Sequence, residues 1–343
     1  MSVRLLRTPT VFGMVLVLAA CAQSVRTVEE QTPLLWPPEA AEARIAFVRT
    51  FSRPNDLGIG RGFFQRLADV LFGGSESRLV RPMAVVAVGG IVYVADPGVK
   101  GVHRFDQTKS DYDLLRLADH RPLPSPVGLA RGAEGEVYVT DSALAAVFVI
   151  RPGTKIVTPV PLQTPLGQPT GIACDPASGR LFVVDTKAHR VNVFSRDGTL
   201  ESSFGGRGIG DGEFNYPTLL WRSAADGRLF VTDSLNFRVQ VFDARGQFLA
   251  KFGQQGDGTG DAGRQKGVAT DSYGHVYVVD ALFNALQIFD DSGRFLLSVG
   301  KRGRERGEFW LPTGIFIGES DMVYVADSYN QRVQVFRYIG GPT

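Results

Sequence analysis

Two groups of residues in this sequence have side chains that could bind a metal ion or transfer protons. The first is a set of six aspartates that lie 44 to 48 residues apart by subtraction of their positions. They are Asp96, Asp141, Asp185, Asp233, Asp280 and Asp327. The second group holds the histidines, which are His103, His120, His189 and His275. The histidines fall at unrelated places relative to the aspartates, whereas a catalytic zinc site needs several imidazoles that converge.

Each aspartate ends a short apolar run and precedes a polar turn and a second alternating run. The last copy, Val323 to Phe336, reads VYVADSYNQRVQVF, and the copy that ends at Phe242 reads LFVTDSLNFRVQVF. Such runs around an Asp-Ser-x-Asn break are typical of two strands joined by a turn. A residue present in every copy cannot by itself form a single active site. We therefore expect the six aspartates to be structural residues that accept backbone hydrogen bonds in the turns.

Three arginines follow an aspartate by five residues, namely Arg190, Arg238 and Arg332. At this spacing each arginine could reach the preceding carboxylate across the turn. We expect exposed ion pairs here, and such pairs contribute only about 0 to 1 kcal/mol to stability.

Two further runs complete each repeat. An apolar run begins 14 to 16 residues before each aspartate, as in PTGIFIG from Pro312, and a run such as GQFLAKFG from Gly246 follows the second strand. Four short antiparallel strands in a period of roughly 45 residues form one blade of a propeller. Six copies therefore predict an all-β, six-bladed propeller.

The motif P-T-G-I, then V-Y-V-A-D, then N-x-R-V-Q-V-F resembles the NHL repeat, whose family folds as a six-bladed β-propeller. The resemblance covers about Arg44 to Phe336 and implies a propeller domain over residues 44–343. The second copy departs most, because ALAA at residues 143–146 replaces the polar turn.

The two ends of the repeat region are complementary. Residues 44–51, RIAFVRTF, alternate like a strand but follow no earlier strand of a repeat, and the sixth copy ends after three strands. We therefore predict that this N-terminal strand completes the last blade and closes the ring, which removes its open edges.

One short inserted helix is predicted at about residues 61–73, RGFFQRLADVLFG. Phe63, Leu67, Val70 and Leu71 fall on one stripe at helical spacing. The helix could pack on the propeller rim or over its channel, and a membrane-surface or partner-docking role is the alternative.

The N-terminus has the pattern of a secretory signal over residues 1–20, with two arginines before an apolar run of about ten residues. Leu18-Ala19-Ala20-Cys21 resembles the bacterial lipobox, which implies acylation of Cys21. Residues 21–43, with three prolines, then form a tether. We expect a monomer anchored by lipid in the bacterial cell envelope, on the periplasmic or outer side of the outer membrane.

The net charge bears on which partners the protein could bind, and the cysteine content bears on whether it could form a disulfide bond. Loss of Arg4 and Arg7 with the signal leaves 35 basic and 35 acidic residues from the totals of 37 and 35. This balance argues against nucleic acid as a partner. With Cys21 acylated, Cys174 has no partner for a disulfide, and we expect it to be a buried small apolar residue.

Two enzyme classes related to NHL propellers place metal ligands near the start of the inner strand. The amidating lyases use histidines just after its first proline, and gluconolactonase-like propellers use acidic and amide ligands at the ends of the inner strands. The corresponding residues after that first position are Met83, Val127, Thr170, Thr218, Lys266 and Thr313. None of these is a histidine, and the entry positions themselves hold five prolines and Gln265, so that only Gln265 is an amide and none is acidic. We therefore predict no metal and no cofactor.

Basic residues break the repeat in the later interblade loops. The candidate binding residues are Arg264, Lys266, Lys301, Arg302, Arg304, Arg306 and Trp310. The loop could be merely solvated, or it could bind an anionic partner. We predict a non-catalytic scaffold that binds an envelope protein or an anionic glycan. The alternative is a lyase, hydrolase or lactonase that acts in the central channel.

Overall fold

The chain folds into a ring of six antiparallel sheets. The computed structural model describes residues 33–39, 41–60 and 77–340. In five of the sheets, four consecutive strands lie side by side in chain order. This confirms the six-bladed propeller and the four-stranded repeat. The predicted signal, Cys21 and the predicted helix at 61–73 lie outside the described residues.

The strands of each blade are numbered along the chain. Blade 1 holds β3 (Ala84–Val88), β4 (Ile91–Asp96), β5 (Gly101–Asp106) and β6 (Asp111–Leu115). Blade 2 holds β7 (Pro126–Arg131), β8 (Val137–Asp141), β9 (Ala146–Ile150) and β10 (Val157–Pro159). Blade 3 holds β11 (Pro169–Cys174), β12 (Leu181–Asp185), β13 (Arg190–Phe194) and β14 (Leu200–Gly205).

The last three blades follow the same order. Blade 4 holds β15 (Pro217–Arg222), β16 (Leu229–Asp233), β17 (Arg238–Phe242) and β18 (Phe248–Phe252). Blade 5 holds β19 (Gln265–Thr270), β20 (Val276–Asp280), β21 (Ala285–Phe289) and β22 (Phe295–Val299). Blade 6 holds β23 (Pro312–Ile317), β24 (Met322–Asp327), β25 (Arg332–Tyr338), β2 (Ile45–Phe51) and β1 (Leu35–Trp36). Short 3-10 turns lie at Pro54–Leu57, Glu319–Asp321 and Ser328–Asn330.

The first strand of each blade packs against the first strands of the two neighbouring blades, and β23 against β3 closes the ring. In blades 2, 3, 5 and 6, glycine two residues after the residue that opens this strand permits the close approach. A Cβ on Gly128 would lie 2.1 Å from the carbonyl oxygen of Thr170, and one on Gly314 would lie 2.5 Å from that of Met83. These strands therefore form a tight inner wall around the axis.

The N-terminal strand completes blade 6, as predicted. β2 pairs antiparallel with β25, with Ile45 opposite Tyr338 and Phe51 opposite Val333. A fifth strand was not predicted: β1 pairs with β2 and lies within the segment assigned to the tether. Because β1 has only two residues, it shows no alternation that could be read from the sequence.

Large aromatic residues fill the space between blades. Phe214 and Phe309 from the interblade loops are fully buried, and each packs on a phenylalanine of the third strand in the same blade. Their burial holds the loops down on the sheets. Within the part of the chain described, no helical segment has the length and hydrophobicity needed to span a bilayer.

Candidate binding surface on the aspartate-turn face

One face of the disc carries the turns between the second and third strands together with the interblade loops, and we call it the aspartate-turn face. The buried carboxylate of Asp96 accepts hydrogen bonds from the amides of Val80 (2.7 Å) and Arg81 (3.0 Å). Asp280 likewise accepts from the amides of Gly263 and Arg264. Each aspartate thus ties its own turn to the loop that enters the blade.

Two of the predicted arginine–aspartate pairs form, but they are not exposed. In blade 4 the Arg238 Nε donates to Asp233 at 2.8 Å, and both side chains are buried. The other guanidinium nitrogens donate to the carbonyls of Ile209, Gly210 and Glu213. The expectation of a weak surface pair is therefore wrong here, because the interblade loop folds over the arginine.

Blade 6 repeats this arrangement. Arg332 donates to Asp327 at 2.8 Å and to the carbonyls of Arg304, Glu305 and Glu308. In blade 3, by contrast, Arg190 is exposed, and the one hydrogen bond that it donates to a described residue goes to the carbonyl of Ala188, at 3.5 Å. The loop that enters blade 6 is therefore held by its backbone, which leaves its side chains to point outward.

The basic residues of this loop have different partners, so they do not form one uniform cluster. The guanidinium carbons of Arg302 and Arg304 lie 5.8 and 4.9 Å from the ring centre of Trp310, within the range of a cation–π contact. The ring of Tyr329, 58% exposed, lies 5.9 Å from that of Trp310. The Lys301 Nζ, in contrast, lies 3.4 Å from a carboxylate of the same loop.

Arg306 is placed differently from Arg302 and Arg304. Its guanidinium lies 5.7 Å from the ring centre of Phe47 on β2. β2 is the fourth strand of blade 6, outside β25, so this contact lies towards the rim. Arg302, Arg304, Trp310 and Tyr329 are thus the residues that the structure brings together.

Lys266 lies at the mouth of the channel, where it opens the inner strand of blade 5. Burial lowers the pKa of its amine, and the charge of Arg264 lowers it further. Among the described residues, no carboxylate lies within ion-pair distance of Lys266. Blades 3 and 4 have threonine at this position, and Thr218, for example, bonds to the Ser234 hydroxyl at 2.7 Å. Blade 5 therefore has a positively charged side chain at the position where blades 3 and 4 have a threonine whose hydroxyl is hydrogen-bonded.

Exposed apolar residues accompany these charges on the same face. Leu235, Leu282 and Tyr329 each lie two residues after the turn aspartate and are 46%, 61% and 58% exposed. The blade 4–6 surface comprises these three residues with Arg264, Arg302, Arg304 and Trp310. Sequence reasoning missed the two leucines and the tyrosine. Their shared position after the aspartate in three successive copies was the signal that could have found them.

The central channel holds a cavity of about 160 Å³ lined by the inner strands of all six blades. Its titratable lining residues are Arg131, Cys174 and Arg222. Cys174 is buried as expected, and burial raises the pKa of its thiol to about 11. Within residues 33–39, 41–60 and 77–340, no three His, Cys, Asp or Glu side chains cluster as metal ligands would.

The buried histidines are engaged within the blades. The Nδ1 of His275 lies 2.8 Å from a carboxylate oxygen of Asp271. The Nδ1 of His103 lies 2.9 Å from the Tyr112 hydroxyl. Neither histidine is among the residues that line the cavity.

Comparisons with known proteins agree with the fold. Virginiamycin B lyase from Staphylococcus aureus matches at a TM-score of 0.55 and 15% identity, over 76% of this chain and 96% of that one. An auxiliary nutrient binding protein from Bacteroides thetaiotaomicron matches at 0.60 and 13%, over 76% and 69%. A putative gluconolactonase matches at 0.58 and 14%, over 77% and 91%. At these identities the likeness establishes the fold alone.

Sequence comparisons identify the family. No curated protein matches the chain. The sequence model of the NHL repeat matches residues 309–336. That of the Teneurin NHL domain matches residues 114–305, which is more than half of the chain. The chain therefore belongs to the teneurin NHL domain family of NHL-repeat β-propellers.

Proposed function

We propose that this protein is an envelope lipoprotein whose propeller binds an acidic partner protein on the blade 4–6 surface and performs no chemistry of its own. The observation that carries the proposal is the pairing of Arg302 and Arg304 with Trp310 beside the exposed Tyr329. Arginine and aromatic side chains dominate the binding energy of protein interfaces. The surface joins both residue types on a loop whose backbone is fixed by Arg332.

The charge of the surface favours an acidic partner. The exposed Arg264 adds a positive charge in the neighbouring blade, and it has no carboxylate within ion-pair distance among the described residues. Electrostatic attraction of this kind raises the association rate more than the final affinity. We therefore infer a partner whose contact surface is rich in aspartate and glutamate. An anionic glycan is the other outcome that the experiment below distinguishes.

The residues of the central channel give less support to the alternative, an enzyme that acts there. Lyase and lactonase relatives share the fold at low identity, and a shared fold does not imply a shared activity. Of the residues that the structure describes, those that line the channel cavity include no histidine, aspartate or glutamate. Within the described part of the lining, no imidazole or carboxylate is thus available as a general base.

The membrane anchor follows from the lipobox-like sequence at Cys21. Two acyl chains hold a protein stably at a bilayer, whereas one chain is marginal. The roughly one dozen residues between Cys21 and β1 then serve as a tether that lets the disc reach a partner near the membrane. We thus propose that the propeller serves as a docking platform held at the membrane by a lipid anchor.

The test is capture of partners from envelope extracts by the wild-type protein and by two double variants. Arg302→Glu/Arg304→Glu reverses two charges on the blade 4–6 surface. Lys109→Glu/Arg245→Glu reverses two exposed charges on the opposite face, in turns between the third and fourth strands. We expect the first variant to lose the captured protein and the second to retain it, with capture weakening as salt increases.

Other outcomes would contradict the proposed docking surface or the proposed protein partner. Retention of the partner by Arg302→Glu/Arg304→Glu, or its loss from Lys109→Glu/Arg245→Glu, would show that another surface binds it. Capture that survives protease treatment of the extract but not glycosidase treatment would identify a glycan in place of a protein.

A further inference from the structure

We propose that the channel cavity is a second binding site, which takes a small organic acid with its carboxylate on Arg222 and its apolar part between the inner strands. The cavity lies towards the ends of these strands, near the turns that join the first and second strands of each blade. It is therefore on the other side of the disc from the blade 4–6 surface. The inference stands apart from the proposed function.

The walls of the cavity suit an apolar body. Ile172, Leu220, Val268 and Ile315 line it from four blades. A cavity of about 160 Å³ with mostly apolar walls and a few polar groups has the character of a small-molecule site. Its size limits the occupant to a compact molecule.

One wall of the cavity is fixed in shape by Trp221. Its indole Nε1 donates to the Thr270 hydroxyl at 2.9 Å. Its ring meets that of Phe316 edge to face, with 5.8 Å between ring centres. Because both ends of the indole are held, the aromatic wall is preformed, and a ligand loses little affinity to ordering it.

Arg222 supplies the polar group. One terminal nitrogen of its guanidinium lies 3.0 Å from Asp175, and the side chain is only 17% exposed. Its Nε is enclosed and has no hydrogen-bond acceptor among the described residues. An enclosed donor without an acceptor is unfavourable, and a carboxylate is the group that best matches the edge of a guanidinium. Asp175 thus positions Arg222, and the enclosed Nε is the donor that stays without an acceptor among the described residues.

Arg131 places a second guanidinium at the lining of the cavity. Arg131 occupies the position in blade 2 that Arg222 occupies in blade 4, and it lines the cavity as an exposed residue. Between them in the ring lies Cys174, whose raised pKa keeps it a neutral thiol at physiological pH. Asp175 is the acidic residue seen to pair with Arg222. Besides burial, the charges of Glu136 and Asp175 raise the pKa of this thiol, and those of Arg222 and Arg196 lower it. The preference for an acidic ligand therefore rests on the Nε of Arg222, which has no acceptor among the described residues, and on the exposed Arg131.

The test is isothermal titration of the detergent-solubilised full chain with benzoate and with benzamide, its neutral counterpart of similar shape. We expect benzoate to bind one per chain. Benzamide should bind at least about tenfold more weakly, as expected when a charge-assisted hydrogen bond is lost. Arg222→Gln should weaken benzoate by a similar factor, Arg222→Lys by less, and Arg245→Gln on the surface should leave it unchanged.

Three results would overturn the inference: equal binding of benzoate and benzamide, equal binding of benzoate by wild type and Arg222→Gln, or no saturable binding of benzoate. Arg131→Gln provides a second variant if Arg222→Gln fails to fold, because its side chain is exposed and its loss should still weaken benzoate severalfold. Unchanged benzoate binding by Arg131→Gln would in that case count against the site. None of these results bears on partner capture by the blade 4–6 surface.

Discussion

At the scale of single residues, the interblade loops depend on arginines that they largely cover. Arg238 and Arg332 each hold one aspartate and three loop carbonyls. A buried guanidinium is stable only when its donors are satisfied, and these loops supply the acceptors. The same bonds fix the loop that displays Arg302 and Arg304.

Replacing Arg238 with alanine should therefore be strongly destabilising. The change leaves Asp233 buried with a charge that has lost its main partner, and removing one member of such a pair costs about 3 to 5 kcal/mol. Arg190→Ala is the matched control, because Arg190 has the same place in the repeat but is exposed, and we expect a change within about 0.5 kcal/mol. Denaturant unfolding measures both. Equal losses for the two variants would contradict this assignment.

The His275–Asp271 contact should make stability depend on pH. The hydrogen bond to Asp271 raises the pKa of His275 above its ordinary value, and burial opposes this only in part. The contribution is therefore fully present below the unfolded-state pKa of about 6.5 and is lost as pH rises through the folded-state pKa.

The measurement is the melting temperature of wild type and His275→Gln at pH 5.5 and pH 8.5. We expect a larger gap between them at pH 5.5. His120→Gln, at an exposed loop position, is the control and should show little gap at either pH. A difference in melting temperature between wild type and His275→Gln that is the same at both pH values, or larger at pH 8.5, would show that the ion pair does not stabilise the fold.

At the scale of elements, the N-terminal strand closes the ring. Phe51 at the end of β2 is 1% exposed and packs edge to face on Phe105 of blade 1, with 5.5 Å between ring centres. The outer strand of blade 6 thus reaches the neighbouring blade as well as its own sheet. Closure therefore rests on side-chain packing in addition to the pairing of β2 with β25.

Phe51→Ala should weaken this closure. Truncation of a buried phenylalanine leaves a cavity and costs about 3 to 5 kcal/mol. Val48→Ala on the same strand is the control, because Val48 is 42% exposed and its loss should cost about 0.5 kcal/mol or less. Thermal unfolding compares the two variants. A melting temperature for Phe51→Ala as high as that for Val48→Ala would mean that the ring does not depend on this contact.

The repeat allowed most of the strands to be predicted from the sequence. The features that were missed are those that the repeat does not encode. The six aspartates and the alternating runs located the strands of each blade, and the unpaired run at residues 44–51 located β2. β1 could not be predicted, because two residues carry no periodicity. The burial of Arg238 could not be predicted either, since it depends on how a glycine-rich loop folds over it. Arg131 and Arg222 stand at the same strand position in blades 2 and 4, but only the ring shows that both line one cavity.

At the scale of the whole molecule, the propeller is a disc with two different faces. The aspartate-turn face carries long loops, arginines and exposed apolar residues. The opposite face carries short turns, and the channel cavity lies towards it. A rigid scaffold with functional loops on one side is a common way to build a binding protein, and this division underlies the proposed docking platform.

The proposed anchor gives a prediction about the whole chain. Cys21→Ala should remove the acylation site, so the protein should no longer partition into the detergent phase or sediment with membranes. Cys174→Ala is the control, because Cys174 is buried in the propeller, and it should remain membrane-bound. Unchanged membrane retention and gel mobility of Cys21→Ala would contradict the lipoprotein assignment.

The central claim is that the aspartate-turn face of blades 4 to 6 is the docking surface, and hydrogen exchange of the captured complex tests it most directly. Amide exchange is compared between the free chain and the complex isolated from envelope extracts. We predict slower exchange on binding in residues 300–311 and in the turns at 234–237, 281–284 and 328–331. The turns of the opposite face at 107–110, 243–247 and 290–294 should exchange at the same rate in both. Protection confined to those opposite turns, with none in residues 300–311, would contradict the claim.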